Sequence, residues 1–121
     1  MQMSPAVFED DTLDESTKLL GVAGELDLAT APELRRRVDA ALRDGFSGLV
    51  IDLSELTHLD SSGLAELIGA HQRAEERHGG LVIVLGSPMI RRTLEIRGLD
   101  GLLEVADSRG AALETIRGQL L

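Results

Sequence analysis

The 121-residue sequence predicts a single α/β domain in which a small mixed β-sheet of about five strands packs against about four helices. From residue 48 onward, short apolar runs alternate with segments whose apolar residues recur at helical spacing. Such alternation is typical of parallel strands joined by helical crossovers. Before residue 30, two strand-like segments are separated by a short polar connection, and such neighbours most simply pair antiparallel. The predicted sheet is therefore mixed.

The sequence indicates some of the predicted strands more clearly than others. The first is weak, because only a short apolar stretch precedes the acidic run Glu9-Asp10-Asp11, which we interpret as a turn. The fourth is an unbroken apolar run, as expected of a strand buried on both faces. The five predicted strands cover residues 3–8, 18–23, 48–52, 81–85 and 102–105.

The helices are predicted from their start and stop residues. Thr30, Pro32 and Glu33 have the spacing of a capping box with proline in the first turn, and Gly45 is the stop of that first helix. Its apolar stripe is Leu34, Val38, Ala41 and Leu42. The later helices cover residues 62–78, 87–96 before a stop at Gly98, and 108–118.

Composition excludes several classes of function. Aromatic residues are only 2% of the chain, so stacking on nucleic-acid bases is not expected. A net charge of -9 repels phosphate backbones and anionic membranes and favours a basic protein partner. The chain has no cysteine, hence no disulfide framework, and no apolar stretch long enough to span a bilayer. We expect a cytoplasmic protein that binds neither nucleic acid nor membrane.

The run His58-Leu59-Asp60-Ser61-Ser62-Gly63-Leu64 is the strongest candidate site. It places two hydroxyls and an acid where a buried strand gives way to a helix. Unpaired backbone N–H groups at a helix N-terminus accommodate anionic oxygen, such as that of a phosphoryl group. The alternative is that Asp60 or Ser61 is simply an N-cap.

Other chemistries find less support in the residues. His58, His71 and His78 are the only histidines, and the last two are too far apart on one helix to share an ion, so no metal is expected. Ser61 lacks the glycine pattern of a hydrolase elbow, and no glycine-rich nucleotide cradle is present. We therefore expect no enzymatic activity and no cofactor.

Phosphorylation of Ser61 explains the run of residues 58–64 better than metal binding or hydrolysis does. A phosphate on Ser61 would add roughly -1.5 to -2 charges beside Asp60. If Asp27 lies at the same end of the sheet, the patch becomes strongly anionic. The helix N-terminus can hold the phosphate without refolding of the domain.

The order and spacing of several motifs resemble the STAS domain family, and more narrowly the stand-alone bacterial anti-sigma factor antagonists. The resemblance covers about residues 5–118 of a single domain spanning residues 1–121. The motifs are Gly24-Glu25-Leu26-Asp27, the block from residue 49 to 64, Gly79-Gly80, Ser87-Pro88 and Gly98-Leu99. The resemblance implies that the unphosphorylated protein binds an anti-sigma factor and frees a sigma factor. It also implies that the anti-sigma factor is a serine kinase that ends the complex, and that a PP2C-type phosphatase restores it.

By position, the resemblance makes Ser61 the phosphoacceptor and Ser62 its hydroxyl neighbour. Asp27 would help to engage the kinase, or it is a plain turn aspartate, while Asp60 would cap the helix and shape the site. Gly63 would let the partner backbone approach, or it relieves crowding in the first turn. His58 departs from the apolar or aromatic residue usual in these antagonists.

The exposed acidic end of the molecule is expected to comprise Glu25, Asp27 and Asp60. Glu66 is expected to face solvent as a further contact, and Arg35 and Arg36 are expected to matter less. Two alternative functions remain open: a STAS subunit of another assembly, such as a stressosome or a lipid-transport ATPase, and a small enzyme with Ser61 as nucleophile.

Overall fold

The computed structural model describes residues 6–98 and 101–120. These residues form six strands and four helices, which confirms the predicted α/β class. The strands are β1 (Ala6–Thr12), β2 (Thr17–Leu26), β3 (Gly48–Asp52), β4 (Leu56–Leu59), β5 (Gly80–Val84) and β6 (Glu104–Ala106). The helices are α1 (Ala31–Arg43), α2 (Ser61–Glu76), α3 (Pro88–Ile96) and α4 (Arg109–Gln119). Among the described residues, no helix is long and apolar enough to cross a membrane.

The sheet is mixed, as predicted, with strand order β1-β2-β3-β5-β6. β1 pairs antiparallel with β2, and the other pairings are parallel. β2 has two neighbours along one edge: its residues 17–21 pair with β3, and its residues 24–26 pair with β4. The carboxyl ends of β2 and β4 therefore lie side by side.

Helices cover both faces of the sheet. Buried residues of α1, α2 and α3 join the larger core, in which Leu20, Ile51 and Ile83 are almost inaccessible to solvent. α4 covers the other face, where Ala112 and Ile116 pack against a second cluster. Each inner strand alternates between the two clusters, so β3 and β5 are buried along their whole length, as the apolar run 81–85 predicted.

The acidic run Glu9-Asp10-Asp11 is strand, so its interpretation as a turn is wrong. These three residues pair with Gly21, Leu20 and Leu19 of β2, and the predicted residues 3–5 lie outside the described residues. Glu9 and Asp10 point to opposite faces and are neutralised by Arg109 and Arg37 respectively. A run of acids can therefore continue as a strand because distant arginines meet it on both faces.

The predicted capping box is also wrong, although the helix begins where expected. Thr30 occupies the N-cap position of α1, but its side chain makes no capping bond. The Glu33 carboxylate instead pairs with Arg36 and Arg37. Gly45 follows α1 with a φ of 95°, the left-handed conformation that suits glycine.

Candidate functional site

Ser61 is the first residue of α2 and is exposed to solvent. Asp60 is the N-cap of this 16-residue helix, and its Oδ1 accepts the Gly63 N–H at 3.0 Å. The Asp60 N–H donates to the carbonyl of Leu26 at 3.2 Å, which fixes the start of α2 to the end of β2. The predicted capping role of Asp60 is thus observed. First-turn N–H groups have no intrahelical acceptor and surround the Ser61 position with partial positive charge.

Gly63 lies in a tightly packed contact inside the molecule. A Cβ at this position would lie 2.5 Å from the Leu26 carbonyl oxygen and 2.7 Å from Leu59 Cδ1. Gly63 is buried, so its lack of a side chain lets α2 approach the ends of β2 and β4. This contact favours relief of crowding over close approach of a partner's backbone.

Asp27 lies beside the start of α2, as the phosphorylation hypothesis required. Leu26 and Leu59 are paired in register, so Asp27 and Asp60 are the next residues along two adjacent parallel strands. Asp27 Oδ1 accepts the N–H groups of Ala29 and Thr30 at 3.0 and 3.1 Å. Asp27 is therefore a turn aspartate, and it is also half-buried at the same edge as Ser61.

Thr30 is a positioning residue that the sequence pattern assigned to a different role. Its hydroxyl accepts the Asp27 N–H at 2.9 Å and donates to the Glu25 carbonyl at 2.8 Å. These bonds stabilise the turn between β2 and α1 from within. The signal was present in the sequence, because an aspartate followed three residues later by threonine is typical of such side-chain turns.

Glu25 and His58 are register partners on β2 and β4. The neighbouring Leu26 and Leu59 join the core under the helices, so strand alternation directs Glu25 and His58 to the opposite face. His58 is exposed, whereas Glu25, Asp27 and Asp60 are each half-buried, so the acidic end is less exposed than expected. The Thr57 hydroxyl donates to the Gly24 carbonyl at 3.0 Å and ties β4 to β2.

Glu66 does not face solvent, so that expectation is wrong. Only 9% of Glu66 is accessible, and its carboxylate pairs with Arg73 at 2.6 Å. Arg73 also lies 2.9 Å from Asp39 of α1, so the three charges join α1 to α2. An acid in the second turn of a helix can be drawn inward when an arginine lies seven residues further along.

Within residues 6–98 and 101–120, no three potential His, Cys, Asp or Glu ligands cluster as a metal would require. His71 is largely buried on α2, with its Nε2 3.4 Å from Glu75. His78 follows the last residue of the same helix by two positions and has a φ of 61°. The histidines are therefore dispersed in the fold.

The fold and the site together define a small α/β domain that presents a serine at a helix start, beside the ends of two parallel strands. Residues 10–104 match the family described as Mlab, STAS domain. The chain belongs to the STAS domain family.

Known relatives are named as regulatory proteins. The anti-sigma-B factor antagonist of Listeria monocytogenes is 34% identical over 90 residues, which cover 74% of this chain and 78% of that protein. The crystal structure of an anti-sigma factor antagonist from Mycobacterium paratuberculosis is 28% identical, with a TM-score of 0.83, and covers 93% of this chain and 94% of that one. A Bacillus cell fate determinant, SpoIIAA in its phosphorylated form, shares the fold with a TM-score of 0.72 at 21% identity, over 92% of this chain and 100% of that one.

Proposed function

We propose that this protein is an anti-sigma factor antagonist whose unphosphorylated form binds an anti-sigma factor and frees a sigma factor. Phosphorylation of Ser61 is proposed to end the complex. The observation that carries it is the exposed Ser61 hydroxyl at the first position of α2, beside Asp60 and Asp27. The names of the Listeria and mycobacterial relatives support the same role.

Ser61 is a better acceptor than its neighbour Ser62. Ser61 is exposed, whereas Ser62 is half-buried in the first turn. Because contacts of Asp60 and Gly63 fix the backbone on either side, Ser61 is held at a fixed place where a kinase can reach its exposed side chain. Ser62 is proposed as a contact residue.

A phosphate on Ser61 would act on the surface and leave the fold intact. The N-terminus of α2 offers dipole stabilisation to the new charge, so the domain has no need to refold. A docked partner, however, would meet roughly two further negative charges next to Asp60 and Asp27. SpoIIAA shares this fold in both its unphosphorylated and its phosphorylated form, which supports a switch without refolding.

The proposed partners follow from this cycle. The anti-sigma factor is proposed to be the serine kinase that modifies Ser61 with ATP, and a PP2C-type phosphatase would regenerate the binding form. Asp27, Asp60 and Ser62 are proposed to form the contact surface around Ser61, and Glu25 is proposed to extend that surface from the other face of the sheet. Glu66 and Gly63 would support that surface from within the fold, since both are buried.

The test is phosphorylation by purified kinase. The protein is incubated with ATP, magnesium and each anti-sigma factor kinase encoded in the source genome, and its intact mass is measured. Wild type and Ser62→Ala should gain the mass of one phosphate group, and Ser61→Ala should gain none. A phosphate found on Ser62, or an unchanged mass with every kinase, contradicts the proposal.

A further inference from the structure

Two large apolar side chains are exposed to solvent at the edge of the sheet that carries Ser61. Leu28 is 76% exposed and Met89 is 68% exposed. Single exposed apolar residues are common on protein surfaces, so exposure alone assigns no role. Their positions in the fold distinguish these two.

Both side chains lie where parallel strands end and helices begin. Leu28 follows β2 by two residues and precedes α1, while Met89 is in the first turn of α3, which follows β5. β2, β4 and β5 run in the same direction, and α3 contacts β4, the strand that leads directly to Ser61. Leu28 on one side and Met89 on the other therefore flank the start of α2.

Hydrogen bonds hold both residues in ordered positions. The Asp27 carboxylate accepts the two N–H groups that follow Leu28, which fixes the turn around it. Ser87 caps α3 through the Ile90 N–H, and Ile90 is buried directly after Met89. An apolar side chain held in place before binding loses little backbone entropy when a partner covers it.

The charges around the pair restrict the class of partner. Glu25, Asp27 and Asp60 lie at the ends of β2 and β4, whereas Arg91 and the exposed Arg92 follow Met89 within one turn of α3. A second copy of the chain would carry the same net charge of -9, so repulsion would oppose its approach. An anionic membrane or a nucleic acid would be repelled as well. Apolar centres beside charges of both signs fit a protein that offers apolar pockets with basic residues opposite the acids, rather than a uniformly anionic surface.

We propose that Leu28 and Met89 are the apolar anchors through which the anti-sigma factor binds this edge, one on each side of Ser61. The inference rests on the proposed function and extends it. Apolar anchors in an interface contribute affinity that salt does not screen, and charge supplies the rate of encounter. A phosphate on Ser61 would then have to be desolvated between two apolar contacts, which adds to the repulsion from Asp27 and Asp60.

The test is a binding titration with the purified anti-sigma factor kinase that phosphorylates the wild type. Leu28→Ser and Met89→Ser should each raise Kd by about tenfold or more, mainly through faster dissociation, with the melting temperature unchanged. Leu28→Met, which keeps the apolar volume, should retain most of the affinity. The matched control is Ile96→Ser, because Ile96 is 75% exposed on the same helix but lies two turns from the Ser61 edge.

The outcomes separate the two proposals. If Leu28→Ser and Met89→Ser bind as wild type does while Ser61→Asp does not bind, the anchors are wrong and the antagonist role stands. If Ile96→Ser weakens binding as much as Met89→Ser, the contact is the outer face of α3 and the proposed edge location is wrong. If no anti-sigma factor binds the wild type, the proposed function fails and the anchors fail with it.

Discussion

At the scale of single residues, Gly63 carries the tightest constraint at the site. A methyl group there would overlap the Leu26 carbonyl at 2.5 Å, and the backbone oxygen cannot move without disturbing β2 and β4. Gly63→Ala should lower the free energy of unfolding by about 1–3 kcal/mol through overpacking. Chemical denaturation measures this directly.

The control for that substitution is Gly118→Ala. Gly118 is also helical, but a Cβ added to it would meet no described atom within 4 Å, so alanine should leave stability unchanged or slightly raised. Equal stability of the Gly63→Ala variant and wild type would show that α2 can shift, and that the serine is not held at a fixed place.

The carboxyl of Asp52 should make the stability of the fold depend on pH. Burial alone would raise the pKa of this carboxyl, but hydrogen bonds from Ser54 and Arg109 outweigh it and hold the pKa below its ordinary value. A depressed pKa in the folded state contributes stability that is present above the unfolded pKa of about 4 and is lost as pH falls through the folded pKa. The stability advantage of wild type over Asp52→Asn should therefore shrink as pH falls below about 4.

The comparison is made by denaturation at several pH values. Asp44→Asn serves as control, because Asp44 is exposed at the end of α1 and no ion pair to it is found among the described residues. A difference between wild type and Asp52→Asn that stays constant down to about pH 2, well below the ordinary pKa of an aspartate, would contradict the assigned role of Asp52.

At the scale of elements, Arg109 joins α4 to the sheet through ion pairs. Arg109 Nε lies 2.5 Å from the buried Asp52 of β3, and its Nη2 lies 2.8 Å from Glu9 of β1. Arg109→Met should destabilise the fold by about 1–3 kcal/mol, because it leaves a buried carboxylate without its cation while Arg109 itself is partly solvated. Arg91→Met should change stability by less than about 0.5 kcal/mol, since the partner Asp107 is 90% exposed.

Thermal and chemical unfolding of both variants decide this point. Similar stabilities of Arg109→Met and Arg91→Met would show that α4 is held by its apolar face alone, through Ala112 and Ile116.

The elements also show which parts of the fold the sequence predicts. Strands and helices with strong periodicity, such as the run 81–85 and the stripe on α1, are found where predicted. β4 escaped prediction because it has four residues and only its two ends, Leu56 and Leu59, are buried. The acidic strand β1 depends on Arg37 and Arg109, which are distant in sequence. The inward Glu66 depends on Arg73, seven residues further along the same helix.

The candidate site also has features that the sequence predicts and features that it does not. Asp60 as helix cap and Asp27 at the same edge followed from local pattern and strand order, and both are observed. The role of Thr30 in the Asp27 turn and the packing of Gly63 needed the three-dimensional approach of α2 to β2.

At the scale of the whole molecule, the net charge of -9 predicts association steered by electrostatics. Asp27→Asn keeps the Oδ1 acceptor that closes the turn but removes one charge at the binding edge, so binding should slow while the melting temperature stays the same. The association rate of wild type with the anti-sigma factor should also fall as ionic strength rises. Stopped-flow kinetics measures both effects.

Asp44→Asn is again the matched control, because it removes the same charge at the opposite end of α1. Association rates that are flat across ionic strength, together with an Asp27→Asn variant that binds like wild type, would show that charge does not guide the encounter.

We propose above all that one phosphate on Ser61 switches binding without changing the fold. The most direct measurement compares Kd for one anti-sigma factor using the unphosphorylated protein and the same preparation after kinase treatment, with circular dichroism of both. Phosphorylation should weaken binding by about a hundredfold or more, Ser61→Ala should bind like the unphosphorylated protein, and the spectra should coincide. Equal Kd values for the two forms, or loss of binding in a folded Ser61→Ala variant, would contradict the proposed switch.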